Sequence, residues 1–153
     1  MRGYAANSLT RADFSQFVRY PMTDVPVSFS LLQIGKPYSR KHLAEIWGYS
    51  SIHAIARGVV TPRDEKFIIL FVTEDKQSSA EPYCNKLSGS LLEWEGPTDH
   101  FGEDRIVNAG QRGDEIHLFH RHKHHSDFIY RGRISVLEYV LEGSKNSRFK
   151  FSV

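Results

Sequence analysis

The run Phe67-Ile68-Ile69-Leu70-Phe71-Val72-Thr73, FIILFVT at positions 67–73, decides how the rest of the chain is read. A strand sends successive side chains to opposite faces, so a run that is apolar at nearly every position needs cover on both sides. It has the length of a strand and falls short of an ordinary helix. A central strand, buried above and below, is therefore expected here.

Further β-rich runs surround it, separated by turn residues: IHAIARGVV (52–60), SLLEWEG (90–96), EIHLFHR (115–121), DFIYRG (127–132), ISVLEYV (134–140) and RFKFSV (148–153). Two short helices precede them. Thr10 caps the first, with Asp13 in the reciprocal position and Phe14, Phe17 and Val18 on one face, ending at Tyr20-Pro21. Ser39 caps the second, with Leu43, Ile46 and Trp47 on one face and Gly48 as its stop. The expected fold is α+β: a strongly curved mixed sheet or small barrel with two short helices. Residues 1–35 read as a helical extension and 36–153 as the main domain.

The chain has 153 residues, 40% of them hydrophobic and 25% charged, which suits one domain with its own core. Its net charge of +2 hides an uneven distribution. Positions 36–63 hold five Lys or Arg against Glu45, positions 105–133 hold six against three acids, and positions 74–104 hold eight acids against Lys76 and Lys86. If the two basic segments meet in the fold, they form a patch able to attract a polyanion. Cys84 is the only cysteine, which excludes an intrachain disulfide and a Cys-based zinc cage and fits a reducing cytoplasm. MRGYAANSLTRADF lacks the apolar core of a signal peptide, and no apolar run approaches a membrane span, so a cytoplasmic protein with no membrane partner is expected.

Five of the eight histidines fall in HLFHRHKHHSDF, 117–128. On a strand His117 and His120 diverge, and no C-x-x-C or H-E-x-x-H accompanies them, so the stretch reads as a solvated turn near a polyanion, with no metal and no cofactor expected. Asp64, Glu74 and Lys76 imitate the D…(D/E)-x-K pattern of magnesium-dependent nucleases. That is the alternative, catalytic reading. Acids and lysines in turns after strands are commonly just solvated, and the main reading is not an enzyme. A third reading lets the acidic stretch 74–104 meet a basic protein partner.

From about position 36 to 140 the order of landmarks resembles the sulfur-binding domain of McrA-like restriction endonucleases and a related helicase-associated domain. The matching residues are Tyr38-Ser39-Arg40, Gly58-Val59-Val60-Thr61-Pro62, FIILFVTEDK, Tyr83 with Asn85, and Trp94 with Gly96. Arg105-Ile106-Val107-Asn108, Ile116-His117-Leu118-Phe119-His120-Arg121 and Phe128-Ile129-Tyr130-Arg131-Gly132 complete the series. The resemblance implies a fold similar to the SET-and-RING-associated (SRA) and PUA-like readers. It implies a domain that recognises modified double-stranded DNA for a bacterial restriction system, with a nuclease or helicase as a separate partner. In the sulfur-binding branch the modification is a backbone phosphorothioate, which is therefore the modification expected here, with a methylated base read by flipping as the alternative. The usual Y-T-G-E-G-Q stretch is replaced here by Glu93-Trp94-Glu95-Gly96-Pro97.

The chemistry of the residues agrees with such a role. A phosphorothioate presents a soft, poorly hydrated sulfur that calls for an apolar contact, for which Ala80, Pro82 and Tyr83 are candidates. A flipped methylated base needs an aromatic platform and edge hydrogen bonds instead, from Trp94 or Tyr130 and from Asn85 or Asn108. Either way phosphates must be held, and Arg40, Lys41, Arg57, Arg63, Arg105, Asn108 and Arg121 are the residues expected at the DNA. The bland readings are that Trp94 belongs to the core, Asn108 forms a turn and Arg57 projects from a strand edge.

Overall fold

The computed structural model describes residues 27–75 and 85–153. The run at 67–73 forms the strand β3, Phe67–Asp75, and both of its faces are covered as expected. Before it come β1 (Pro37–Tyr38), α1 (Arg40–Ile46), a 3-10 turn (Ile52–Ile55) and β2 (Val59–Val60). After it come β4 (Lys86–Ser88), β5 (Leu91–Glu95), α2 (Glu103–Val107), α3 (Ala109–Arg112), β6 (Glu115–Lys123), β7 (Phe128–Val140) and β8 (Arg148–Ser152). The eight strands form one mixed sheet in the order β2-β3-β6-β7-β8-β5-β4, with β1 paired to β7. Among the described residues only β3 and β6 are parallel, in a register that sets Phe71 beside Phe119 and Thr73 beside Arg121.

The alternation of β3 divides the core in two. Ile69 and Phe71 point into one layer with Leu43 and Trp47 of α1 and with Phe119, Phe128 and Tyr130. Ile68, Leu70 and Val72 point into the other, with Leu118, Ile106, Trp94, Phe149 and Phe151. Burying each such large side chain contributes roughly 1.5–3 kcal/mol, which fixes the register: a slip by one residue would exchange the two layers.

The sheet curves because β7 belongs to both of its halves. The first half of β7 pairs with β6 and the second with β8, and a bulge opposite Leu118 and Phe119 marks the bend. Gly132 sits there at φ +83°, where an added Cβ would lie 2.8 Å from Ile34. A side chain at that position would strain the backbone and displace Ile34.

The helix α1 forms as its sequence dictates, with Ser39 Oγ accepting from the His42 amide at 3.0 Å and Gly48 at φ +80° after its end. The helix expected at 10–18 lies outside the described residues. Three expectations need correction. IHAIARGVV is a 3-10 turn followed by a two-residue strand, because Ser51 caps a turn at His53 instead of joining a ladder. DFIYRG and ISVLEYV are one bent strand. The segment 103–112, not among the two expected helices, forms α2 and α3. Val27 and Leu32 are buried in the same core layer as α1, so the proposed boundary at 35/36 does not coincide with an edge of that layer.

Candidate nucleic-acid interface

The sheet does not close: its end strands, β2 and β4, are not paired with each other. Side chains bridge the seam between β3 and the β4–β5 hairpin. Glu74 Oε2 accepts the Leu87 amide at 2.9 Å, Asn85 Nδ2 donates to Thr73 O at 3.4 Å, and Asn85 Oδ1 accepts the Glu95 amide at 3.0 Å. Beside these bridges lies a cavity of about 230 Å³, lined by Arg57, Phe71, Asn85, Trp94, Glu95 and Thr98 among others.

One wall of the cavity is the turn at 95–98, and it is braced from behind. The Gly96 amide donates to Ser147 O at 2.9 Å, and Asn146 Nδ2 donates to Gly96 O at 2.6 Å. The buried Glu103 carboxylate accepts from Ser147 Oγ and meets His100 Nδ1, both at 2.9 Å. A Cβ on Gly96 would stand 2.9 Å from Glu103 Oε2, so only glycine lets the turn approach this carboxylate. Glu103, Asn146 and Ser147 carry no motif, and Glu103 lies far in sequence from the other two, so sequence reasoning missed them.

Two cations pack on aromatic rings nearby. The Arg40 guanidinium lies 4.5 Å from the centre of the Phe71 ring and 5.0 Å from that of Phe128, and Arg121 lies 4.1 Å from Phe128. Arg40 donates to Ile55 O and Arg57 O, and Arg121 to Thr73 Oγ1 and Ser126 O. Among the described residues neither makes an ion pair with an acid. Burial, with Arg121 adding its charge, pulls the Arg40 pKa down to about 10, and burial also lowers that of Arg121. Both remain cationic at neutral pH, and an anion between them would relieve their repulsion. His124 belongs to the same field: lost hydration and the charges of His125, Arg121 and Arg40 lower its pKa.

The two basic segments therefore meet, but not through every residue expected. Arg40, Arg57 and Arg121 come together, with Arg63 on an adjoining hollow and Lys41 exposed on α1. Arg105 is elsewhere. It donates to Glu65 O and Phe67 O and pairs with the buried Asp114 at the start of β3, roughly 20 Å along the strand from Thr73. Asn108 caps the end of α2 by donating to Asp104 O at 2.9 Å. Tyr130 is buried, its hydroxyl 2.8 Å from His117 Nδ1, and offers no platform. Trp94 is both a core residue, tilted against Phe149 at 5.3 Å, and part of the cavity wall. Asn85 also lines the cavity, with both ends of its amide engaged in the bridges. Ala80, Pro82 and Tyr83 lie outside the described residues.

The nuclease pattern does not assemble. Asp64 precedes β3 and Glu74 ends it, so they are separated by a strand length of roughly 23 Å. Glu74 is instead bound to Leu87, His120 and His122, and Lys76 lies outside the described residues.

The histidine cluster divides in a way that a uniformly solvated turn does not. His117 is buried, stacked on Phe29 at 3.6 Å and bound to Tyr130 and Glu115. His120 is buried on the other face, its Nε2 2.7 Å from Glu74. Burial lowers both pKa values despite the neighbouring carboxylates. The buried Nδ1 of His120 has no partner among the described residues, which suits the neutral ring that donates through Nε2: protonation would strand an N–H. His122, His124 and His125 are exposed. Among the described residues no three His, Cys, Asp or Glu side chains gather as a metal site, and no helix is long and apolar enough to cross a membrane.

No family model and no curated protein matches the sequence. Solved structures do. The SRA domain of SUVH5 in complex with hemimethylated CG DNA superimposes with a TM-score of 0.55 at 16% identity, over 79% of this chain and 88% of that one. The same domain with fully methylated CG DNA gives 0.54 at 16% identity, over 82% and 90%. A weaker likeness, 0.40 at 13% identity over 57% of this chain and 31% of the other, is to the DNA modification-dependent restriction endonuclease AspBHI. The fold is thus SRA-like, α+β with an open, curved mixed sheet, as the resemblance implied.

Proposed function

We propose that this chain is a DNA-binding domain that reads a modification in double-stranded DNA, serving a restriction or defence system without cutting DNA itself. The observation that carries the reading is the pair Arg40 and Arg121, set over Phe128 with no acidic partner among the described residues, beside the seam cavity that Arg57 lines. Arg40 packs on Phe71, which lines the cavity, and donates to the carbonyl of Arg57, which also lines it. Phosphates on the cations would bring a nucleotide to the opening, and an everted base would lie against Trp94. Glu95 would accept from the exocyclic amine of cytosine, the donor this base presents to a carboxylate. The SUVH5 domain was crystallised with methylated CG DNA, which favours a methylated base as the modification.

A phosphorothioate is the second reading, favoured by the bedding of two guanidiniums on aromatic rings, where a soft anion finds charge and apolar contact together. A nuclease or helicase partner belongs to the same proposal. The test is a gel-shift panel of plain, methylated and phosphorothioated duplexes at two salt concentrations. Preference for one modified duplex is the expected result. Equal binding to all three removes the reader, and no binding even at low salt turns the reading to a protein partner.

A further inference from the structure

A second, larger hollow of about 560 Å³ opens on the other side of Arg57, lined by Tyr49, His53, Arg63 and Phe101 with the segment 59–62. It shares Arg57 and Val59 with the seam cavity, so the two hollows have a common wall. That wall is held rigidly. Asp99 Oδ2 receives Arg57 at 2.6 Å, while Asp99 Oδ1 accepts the Phe101 amide at 3.1 Å. One carboxylate thus sets the guanidinium 4.1 Å over the Phe101 ring. Phe101 is 37% exposed, so its ring remains open to a ligand beside the Arg57 guanidinium.

We propose that this hollow binds the nucleotide adjacent to the modified one on the same strand, so that the protein reads a two-nucleotide step. The inference rests on the DNA-binding function proposed above. A flat cation stacked on an aromatic ring is a surface for a nucleobase, which stacks on either kind of plane. Arg63 stands at the same hollow, where the intervening phosphate needs positive charge, and His53 beside it offers a hydrogen bond. A neutral apolar ligand would make no use of Arg63, and a bare phosphate would make none of Phe101. The shared wall gives two successive bases separate places with Arg57 between them.

The test uses the full chain and the modified duplex that it prefers, with 2-aminopurine placed next to the modification; stacking between nucleobases quenches this fluorophore. Emission should rise on binding, because the neighbouring base leaves the stack. Phe101→Ala should abolish the rise and weaken binding about five- to hundredfold, the range of one lost base–aromatic stack. Phe101→Trp should restore binding. If the duplex binds tightly with no change in emission, or Phe101→Ala binds as the parent does, the second site is wrong while modification reading stands. Failure to bind any duplex at low salt overturns the underlying reading together with this one.

Discussion

Arg40 and Arg121 place their guanidiniums over the same ring, Phe128, at 5.0 and 4.1 Å, although one opens α1 and the other lies in β6. Two cations of one sign are thus assembled by a buried aromatic residue, and the fold tolerates their repulsion.

Charge removal at this pair should be felt by DNA and hardly by the fold. Arg121→Gln should weaken binding to plain and modified duplexes alike and reduce the slope of log K against log salt by about one. Arg105→Gln should do the opposite: a lower melting temperature, because Asp114 loses a buried partner, with an unchanged salt slope. Titrations at several salt concentrations, beside thermal melts, distinguish the two. An Arg105 variant with a reduced slope would contradict this placement.

Stability should fall in acid for reasons traceable to three side chains. The lowered pKa values of His117 and His120 mean that the unfolded chain takes up protons near pH 6.5 while the folded chain does not. Their contribution is complete above about pH 6.5 and declines as pH falls from there through the folded values. Glu74 adds a second decline. Burial works against its charge, but the Leu87 amide and His120 outweigh it and lower its pKa, so its contribution is lost below the ordinary carboxylate range. Denaturant midpoints followed from about pH 8 to about pH 2 should drop in two stages. His120→Asn should remove part of the first.

Cutting the seam bridge should loosen the cavity without creating or destroying catalysis. Glu74→Ala leaves the Leu87 amide and His120 unpartnered and should cost about 1–3 kcal/mol in urea unfolding. A nuclease assay on the parent with magnesium should show no cleavage that depends on Glu74.

The braced turn predicts a separation of fold from recognition. Gly96→Ala should push Glu103 from His100 and Ser147 and distort the cavity wall, reducing discrimination between modified and plain duplexes. Glu95→Gln should reduce the same discrimination for a cytosine-based modification while leaving the melting temperature nearly unchanged. A gain in affinity for plain DNA in the Glu95 variant would place this carboxylate beside the phosphate backbone instead.

The sequence displayed what short-range patterns encode. FIILFVT announces a strand covered twice, and Ser39 with Gly48 brackets α1, because each signal lies within one turn or one strand of its effect. The helices α2 and α3 were not legible: five and four residues are too few for a helical period, and Gly102, Gly110 and Gly113 read as loop. Alternation correctly separated His117 from His120. It could not supply their partners, Tyr130 and Glu74, which come from other strands. Arg105 was misleading for the same reason, since its buried partner and the two carbonyls it meets are brought to it only by the packing of α2. The cavity itself had no signal, because it is a gap between strands distant in sequence.

The seam between β3 and the β4–β5 hairpin is pinned by Glu74 and Asn85, not by a continuous backbone ladder. An aperture held by two latches can be widened or narrowed by exchanging one latch, while the hydrophobic layers on either side of β3 stay as they are. Chains sharing this frame could therefore diverge in the size of the group they admit through single substitutions, with little loss of stability along the way.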